Sequence, residues 1–211
     1  MSDVRQQICD AVTELYGLSL ITATGGNVSA RDPECPEEAW ITPSGMFKGA
    51  LFPHIMVRMD TRGEACPGQT GVVSSESKIH AAILAARPDI QAVVHCHAPK
   101  STILVNAELP FLPISTEAAF LAEIGRIPFV MPGTDSLADA IVVALGSGWA
   151  VLMQNHGLIV GARSLRRACD ITQIVERTSE IIVGCYAVGK RPPVLPDAVV
   201  AALSRKTDLM A

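Results

Sequence analysis

No apolar run in this chain of 211 residues approaches the length of a membrane-spanning helix, about 20 residues. The first residues, Met1-Ser-Asp-Val-Arg-Gln-Gln, lack the basic start and apolar centre of a signal peptide. The expected location is therefore the cytoplasm, with no membrane partner. Positive charge is not in excess either. Lys and Arg number 17 against 21 Asp and Glu, a formal charge of -4, which excludes a general nucleic-acid binder. The six cysteines, Cys9, Cys35, Cys66, Cys96, Cys169 and Cys185, show no paired spacing. That pattern excludes a disulfide framework and fits reduced thiols. Internal repeats, low-complexity tracts and linkers are missing too, so a single domain over 1–211 is expected. With 49% hydrophobic and 18% charged residues, the chain can bury a full core without staples.

Among what is present, the most informative stretch is Ala92-Val93-Val94-His95-Cys96-His97-Ala98-Pro99. Side chains alternate across a strand, so this β-branched run places His95 and His97 on one face and Cys96 on the other. A third histidine stands in Gln154-Asn155-His156-Gly157, after the apolar run Trp149 to Met153, which reads as a buried strand with His156 at its end. Three neutral imidazoles with a fourth position open are the arrangement of a catalytic zinc or similar divalent ion. His54, beside Pro53, has no partner at metal spacing and is expected on the surface.

The remaining pattern alternates helices and strands, an α/β arrangement. Val4, Ile8, Val12 and Leu15 follow helical spacing. Thr22-Ala-Thr-Gly-Gly-Asn is either a plain glycine turn or one that aims amides at an anion, and it leads into a strand at Ser29 to Arg31. Trp40-Ile41-Thr42 ends in a Pro43-Ser44-Gly45 turn, gathering hydroxyls and amides at a second strand end. Ser74 or Ser75 caps a helix that stops before Pro88 and puts Glu76 in its first turn. There the carboxylate either complements the helix dipole or faces the metal as ligand or general base. His80, one turn later, is either a packed helix histidine or a group behind the metal ligands. Ile127 to Met131 reads as a strand, Thr134 or Asp135 starts a helix to Leu145, and Leu165 to Val188 reads as one long helix after a turn at Gly161 to Ser164. Gly146-Ser147-Gly148 lacks the third glycine of a dinucleotide-binding loop.

Five motifs then occur in order: Gly-Gly-Asn-Val-Ser-Ala-Arg from 25 to 31, Ile-Thr-Pro-Ser-Gly from 41 to 45, Ser-Ser-Glu from 74 to 76, His-Cys-His from 95 to 97, and Asn-His-Gly-Leu from 155 to 158. In this the chain resembles the class II aldolase/adducin family. The resemblance implies a three-layer α/β/α sandwich with a mostly antiparallel central sheet, and a homotetramer with active sites between subunits. By resemblance His95, His97 and His156 hold Zn2+, while three imidazoles also accept Co2+, Mn2+ or Fe2+. Glu76 matches the glutamate that approaches the metal and moves protons. Asn27, Ser44, Gly45, Ser74 and Ser75 match positions that hold a substrate phosphate, with Thr24 and Gly26 beside them.

The implied activity is that of a lyase on a phosphorylated sugar. A ketose 1-phosphate is cut to dihydroxyacetone phosphate and an aldehyde through a metal-stabilised enediolate. The family also holds pentulose-phosphate 4-epimerases, dehydratases, sugar-acid-phosphate decarboxylases and the non-catalytic adducin module. Glu at position 76, where the related epimerases usually carry Asp, favours cleavage. One feature departs from the family's aldolases, which carry a tyrosine about twenty residues after the metal strand. Here that region reads Phe111-Leu-Pro-Ile-Ser-Thr-Glu117, so either Glu117, Tyr186 or water supplies the proton or the reaction is a different one. Its apolar character suits an aldehyde bearing a methyl or methylthio group.

Overall fold

Alternation within the strands decides the layering. The computed structural model describes residues 3–121 and 124–204. Among these, one sheet contains β1 (Asn27–Arg31), β2 (Ala39–Ile41), β3 (Val57–Met59), β4 (Ala92–Cys96), β5 (Gly125–Ile127), β6 (Ala150–Met153) and β7 (Gly157–Ala162). Its order is β3-β2-β1-β4-β7-β6-β5. Central β4 sends Ala92, Val94 and Cys96 into one apolar cluster and Val93 into the other. β7 does the same with Leu158 and Val160 against Ile159.

Helices cover both faces, as the two clusters demand. α1 (Val4–Gly17), α3 (Pro99–Asn106) and α6 (Leu165–Ala187) bury Ile8, Leu104 and Ile171 on the first face. α2 (Ser77–Ala86) and α5 (Asp135–Leu145) bury Ile79, Ile83, Leu137 and Ile141 on the second. Short polar residues set the helix starts by accepting backbone N–H groups left unpaired in the first turn. Asp3 accepts from Arg5 N at 2.9 Å, Thr134 from Leu137 N at 3.2 Å and Ser164 from Arg167 N at 3.2 Å. α4 (Thr116–Phe120) packs with α7 (Asp197–Ser204), whose Ser204 hydroxyl donates to Ala119 O at 3.2 Å.

Several expectations are corrected. The sheet is mixed, not uniform: β5 runs parallel to β6, and the other five pairings are antiparallel. β5 lies at Gly125–Ile127 and not at 127 to 131, because Pro128 has no N–H to continue a ladder. Gly161 and Ala162 belong to β7 rather than to a turn. α2 begins at Ser77, later than a cap at Ser74 or Ser75 implies, which leaves Glu76 at the cap position instead of in the first turn. α7 follows a Pro-rich stretch, Pro192-Pro193-Val194-Leu195-Pro196, whose sequence specifies no element after it. The domain expected over 1–211 extends at both ends into residues outside those described. No helix among the described residues is long and apolar enough to cross a membrane.

Candidate metal centre and its cavity

The antiparallel register brings the site together at one end of the sheet. Asn27 pairs with His95 across β1 and β4, and His95 pairs with Ile159 of β7. Sharing the Val93 face of β4, His95 points toward α2. His97 lies just past β4, with its backbone N–H donating to Leu20 O at 3.0 Å. Gly25 makes room for its ring, since a Cβ there would come within 2.8 Å of His97 Nδ1. His156 sits in the tight turn between β6 and β7 rather than at the end of one strand. Asn155 takes a left-handed φ of 56° in that turn, a conformation asparagine tolerates, and its N–H donates to Asn106 Oδ1 at 2.7 Å. A Cβ at Gly157 would collide with the Cys96 carbonyl oxygen, so glycine lets the hairpin close against β4.

One imidazole nitrogen from each of His95, His97 and His156 lies within 4.8 Å of the others. Glu76 joins them from the start of α2, Oε2 at 3.0 Å from His95 Nε2 and Oε1 at 2.8 Å from His156 Nε2. It makes no side-chain cap to its own helix. Burial pushes the Glu76 carboxyl up, but the contacts with His156 and His95 and the Asn27 amide outweigh it and hold the group well below the usual carboxylate range. Burial, with His95 and His156 nearby, lowers His97 to about 4.

This donor set fits a divalent ion. His95 Nδ1 lies 3.1 Å from Leu158 O; a carbonyl only accepts, so Nδ1 carries the proton and Nε2 keeps a lone pair for the centre. His95 Nε2 and His97 Nε2 face each other at 3.1 Å. Glu76 Oε1, despite its closeness to His156, has no well-directed hydrogen bond. Convergent imidazole lone pairs beside an anionic oxygen are what a zinc-type ion satisfies.

Behind the three histidines runs a buried chain of hydrogen bonds. Asn27 donates Nδ2 to Glu76 Oε2 at 3.0 Å and accepts at Oδ1 from His80 Nε2 at 2.5 Å. Ser29 Oγ lies 2.7 Å from His80 Nδ1. Because the carboxylate can only accept, the amide orientation follows, then the Nε2–H tautomer of His80, then Ser29 as donor. Burial lowers His80 to about 3, so the ring is neutral. His80 is thus a buried helix histidine that stands behind the metal cluster.

In front of the cluster lies a cavity of about 760 Å3. Every position matched to the phosphate lines it: Thr24, Gly26, Asn27, Ser44, Gly45, Ser74 and Ser75. Glu76, His97 and His156 line it as well, while His95 is buried behind them. Sequence reasoning missed Lys48, which also lines the cavity at 2% exposure; a lysine three residues after a Pro-Ser-Gly turn gives no sign of burial. It also missed Ser29. The Phe111–Ile114 segment packs on the core and is not part of the cavity wall, so within one chain the apolar lining expected from it comes instead from Pro99, Ile103 and Pro132. Glu117 faces a different cavity, and neither Tyr16 nor Tyr186 lines this one. His54 is exposed and stacks on Phe52.

A three-histidine cluster with a carboxylate, beside a cavity rich in hydroxyls and free amides on an α/β sandwich, defines a candidate metal-centred enzyme. The chain belongs to the family described as Class II Aldolase and Adducin N-terminal domain, which matches residues 6–183. It is 32% identical over 203 residues to an L-fuculose phosphate aldolase of Escherichia coli K12, covering 95% of this chain and 92% of the relative. It is also 32% identical over 195 residues to a 5-methylthioribulose-1-phosphate/5-deoxyribulose-1-phosphate aldolase of Rhodospirillum rubrum, covering 92% and 86%. A solved L-fuculose 1-phosphate aldolase superposes with a TM-score of 0.88 at 29% identity, covering 99% of this chain and 97% of that one. The relatives are named for aldol chemistry on sugar phosphates and differ in the sugar.

Proposed function

We propose that this protein is a metal-dependent aldolase that cleaves a ketose 1-phosphate to dihydroxyacetone phosphate and an aldehyde. The observation that carries the reading is Glu76, a carboxylate that forgoes capping its own helix to meet the three-histidine cluster at the cavity floor. A divalent ion held by His95, His97 and His156, zinc in this reading, would supply Lewis-acid polarisation of the ketose carbonyl. The turns at Thr24 to Asn27 and Ser44-Gly45, with Ser74 and Ser75, bind the phosphate through hydroxyls and amides. When the C3–C4 bond breaks, its electron pair stays with C3, and Glu76, anionic at rest, takes a proton from solvent and passes it to C3. The C4 hydroxyl gives up its proton as the aldehyde carbonyl forms, so the proton count closes through solvent.

The reading includes a cytoplasmic homotetramer with cavities between subunits. Exposed apolar side chains at Phe47, Phe52, Val72, Phe129 and Met131 support such contacts. The test is condensation: zinc- or cobalt-loaded protein given dihydroxyacetone phosphate and a panel of short aldehydes, with Glu76→Gln and His97→Ala alongside. A new ketose phosphate that needs metal and both side chains supports the reading, and the best aldehyde names the substrate. A chain that holds stoichiometric metal yet consumes no aldehyde would overturn it in favour of epimerase, dehydratase or decarboxylase chemistry. A chain that holds no metal would point to an adducin-like binding module.

A further inference from the structure

Lys48 is a buried charge with incomplete partners. At 2% exposure its Nζ donates to Pro43 O at 3.2 Å and, among the described residues, meets no carboxylate. An ammonium has three donors, and burying one without a counter-charge is costly. Burial accordingly holds Lys48 below the ordinary lysine range. The cavity's own carboxylate, Glu76, is already engaged by the histidines and Asn27.

Its placement is structural as well as electrostatic. Lys48 N donates to Ala23 O at 2.8 Å, which ties the residue to the turn at Thr22 to Gly26. Nζ reaches the Pro43-Ser44-Gly45 turn. That turn is held in its own right to the segment before Ser74 and Ser75, by Ser44 N donating to Val72 O at 2.9 Å and by the Pro43 to Val73 bridge. One lysine thereby meets the junction of three segments that supply the cavity's hydroxyls and free amides, and it is the cationic side chain among the residues lining it. We propose that Lys48 is the counter-ion for a phosphate dianion in this cavity, and so selects phosphorylated over uncharged substrates. The identity of the substrate rests on the aldolase reading; the anion site does not.

The probe is inorganic phosphate, titrated by calorimetry into the metal-loaded full chain and into Lys48→Met, which keeps the stem and removes the charge. The expected result is an affinity loss of about tenfold or more, the scale of losing a charge-assisted hydrogen bond. The melting temperature stays level or rises, because an unpaired buried charge has gone. In the condensation assay the same variant raises KM for dihydroxyacetone phosphate about tenfold with kcat nearly unchanged, and uncharged dihydroxyacetone is used no worse than by the wild type. Equal phosphate affinity in wild type and variant, or a wild type that binds no phosphate, overturns the proposal. A lower melting temperature with unchanged phosphate affinity would make Lys48 a structural tie between turns. If Lys48→Met does not fold, a crystal of the wild type grown with phosphate decides: an anion within hydrogen-bond distance of Nζ supports the proposal, and one bound elsewhere overturns it. Lys48-dependent phosphate binding in a chain that consumes no aldehyde leaves the anion site standing and sinks the aldolase reading alone.

Discussion

The two faces of the central strands are built by the same backbone and do opposite work. On the α1 and α6 side, Val28, Val94, Cys96, Leu152 and Leu158 form part of a continuous apolar cluster. On the α2 and α5 side, Asn27, Ser29 and His95 take the corresponding places at one end, and His80 and Glu76 meet them from α2. The contrast is sharpest between neighbours. Cys96 is a good zinc ligand by residue type, yet it faces the apolar side, where burial pushes its thiol up to about 12. His95, one residue away, reaches the cluster. Strand alternation, more than residue chemistry, decides which side chain can serve a metal.

If the faces are separate in function, substitutions on them should separate activity from stability. Glu76→Gln on the polar face should lower kcat/KM by about 10²–10⁴-fold, the usual worth of a positioned acid or base, while the three imidazoles retain the metal. Steady-state rates and metal content per chain check both halves. Leu152→Ala on the apolar face, at a fully buried side chain, should cost about 2–5 kcal/mol of stability. Urea unfolding measures that cost, and the rate per folded molecule should be unchanged. Loss of rate in folded Leu152→Ala would show that the faces are coupled.

Within the polar face the comparison can be narrowed to groups that touch the metal cluster and groups that stand behind it. His80 bonds to none of the three clustered histidines; it fixes Asn27, which fixes Glu76. Removing such a supporting group typically costs 10–100-fold in activity or metal affinity, so His80→Leu should fall in about that range. His80→Gln keeps a donor for Asn27 Oδ1 and should recover most of the loss. If both variants matched the wild type, the Asn27 amide would have no need of His80.

How much of this the sequence disclosed depended on distance along the chain. The β4 face assignment was readable because His95, Cys96 and His97 are consecutive and the period of a strand is two. The start of α2 is hard to place from sequence because Ser74 and Ser75 look like caps, whereas Ser74 Oγ accepts from Glu76 N at 3.4 Å ahead of a helix that begins at Ser77. From the sequence His156 reads as the end of a strand, whereas it lies in the turn between β6 and β7, and the left-handed Asn155 that turns the chain there leaves no unambiguous mark. The bond between Ser29 and His80 joins residues 51 apart, and the burial of Lys48 needs three segments to converge. Neither has a local pattern. α7 gave no signal because its partner, α4, lies far away in sequence.

The smallest expected effect tests whether His80 is held neutral, as the bonding chain requires. An unconstrained histidine titrates near 6.5, and burial brings His80 to about 3. Between those values the unfolded chain takes a proton that the folded chain refuses, so stability falls as pH falls from 6.5 toward 3. The slope from this one group is at most about 1.4 kcal/mol per pH unit. His97 adds a slope of the same sign down to about 4, and Glu76, held low by the opposite logic, adds its own loss only below the ordinary carboxylate range. Between pH 6.5 and 5 the histidines therefore dominate. Urea unfolding of metal-free protein across that window should be steeper in pH for the wild type than for His80→Gln, by up to the single-group slope. Parallel pH dependences would mean that His80 is already charged in the folded chain. A charged ring would donate from both nitrogens, Ser29 would have to accept rather than donate, and the burial that separates this face from its apolar counterpart would no longer be holding the ring neutral.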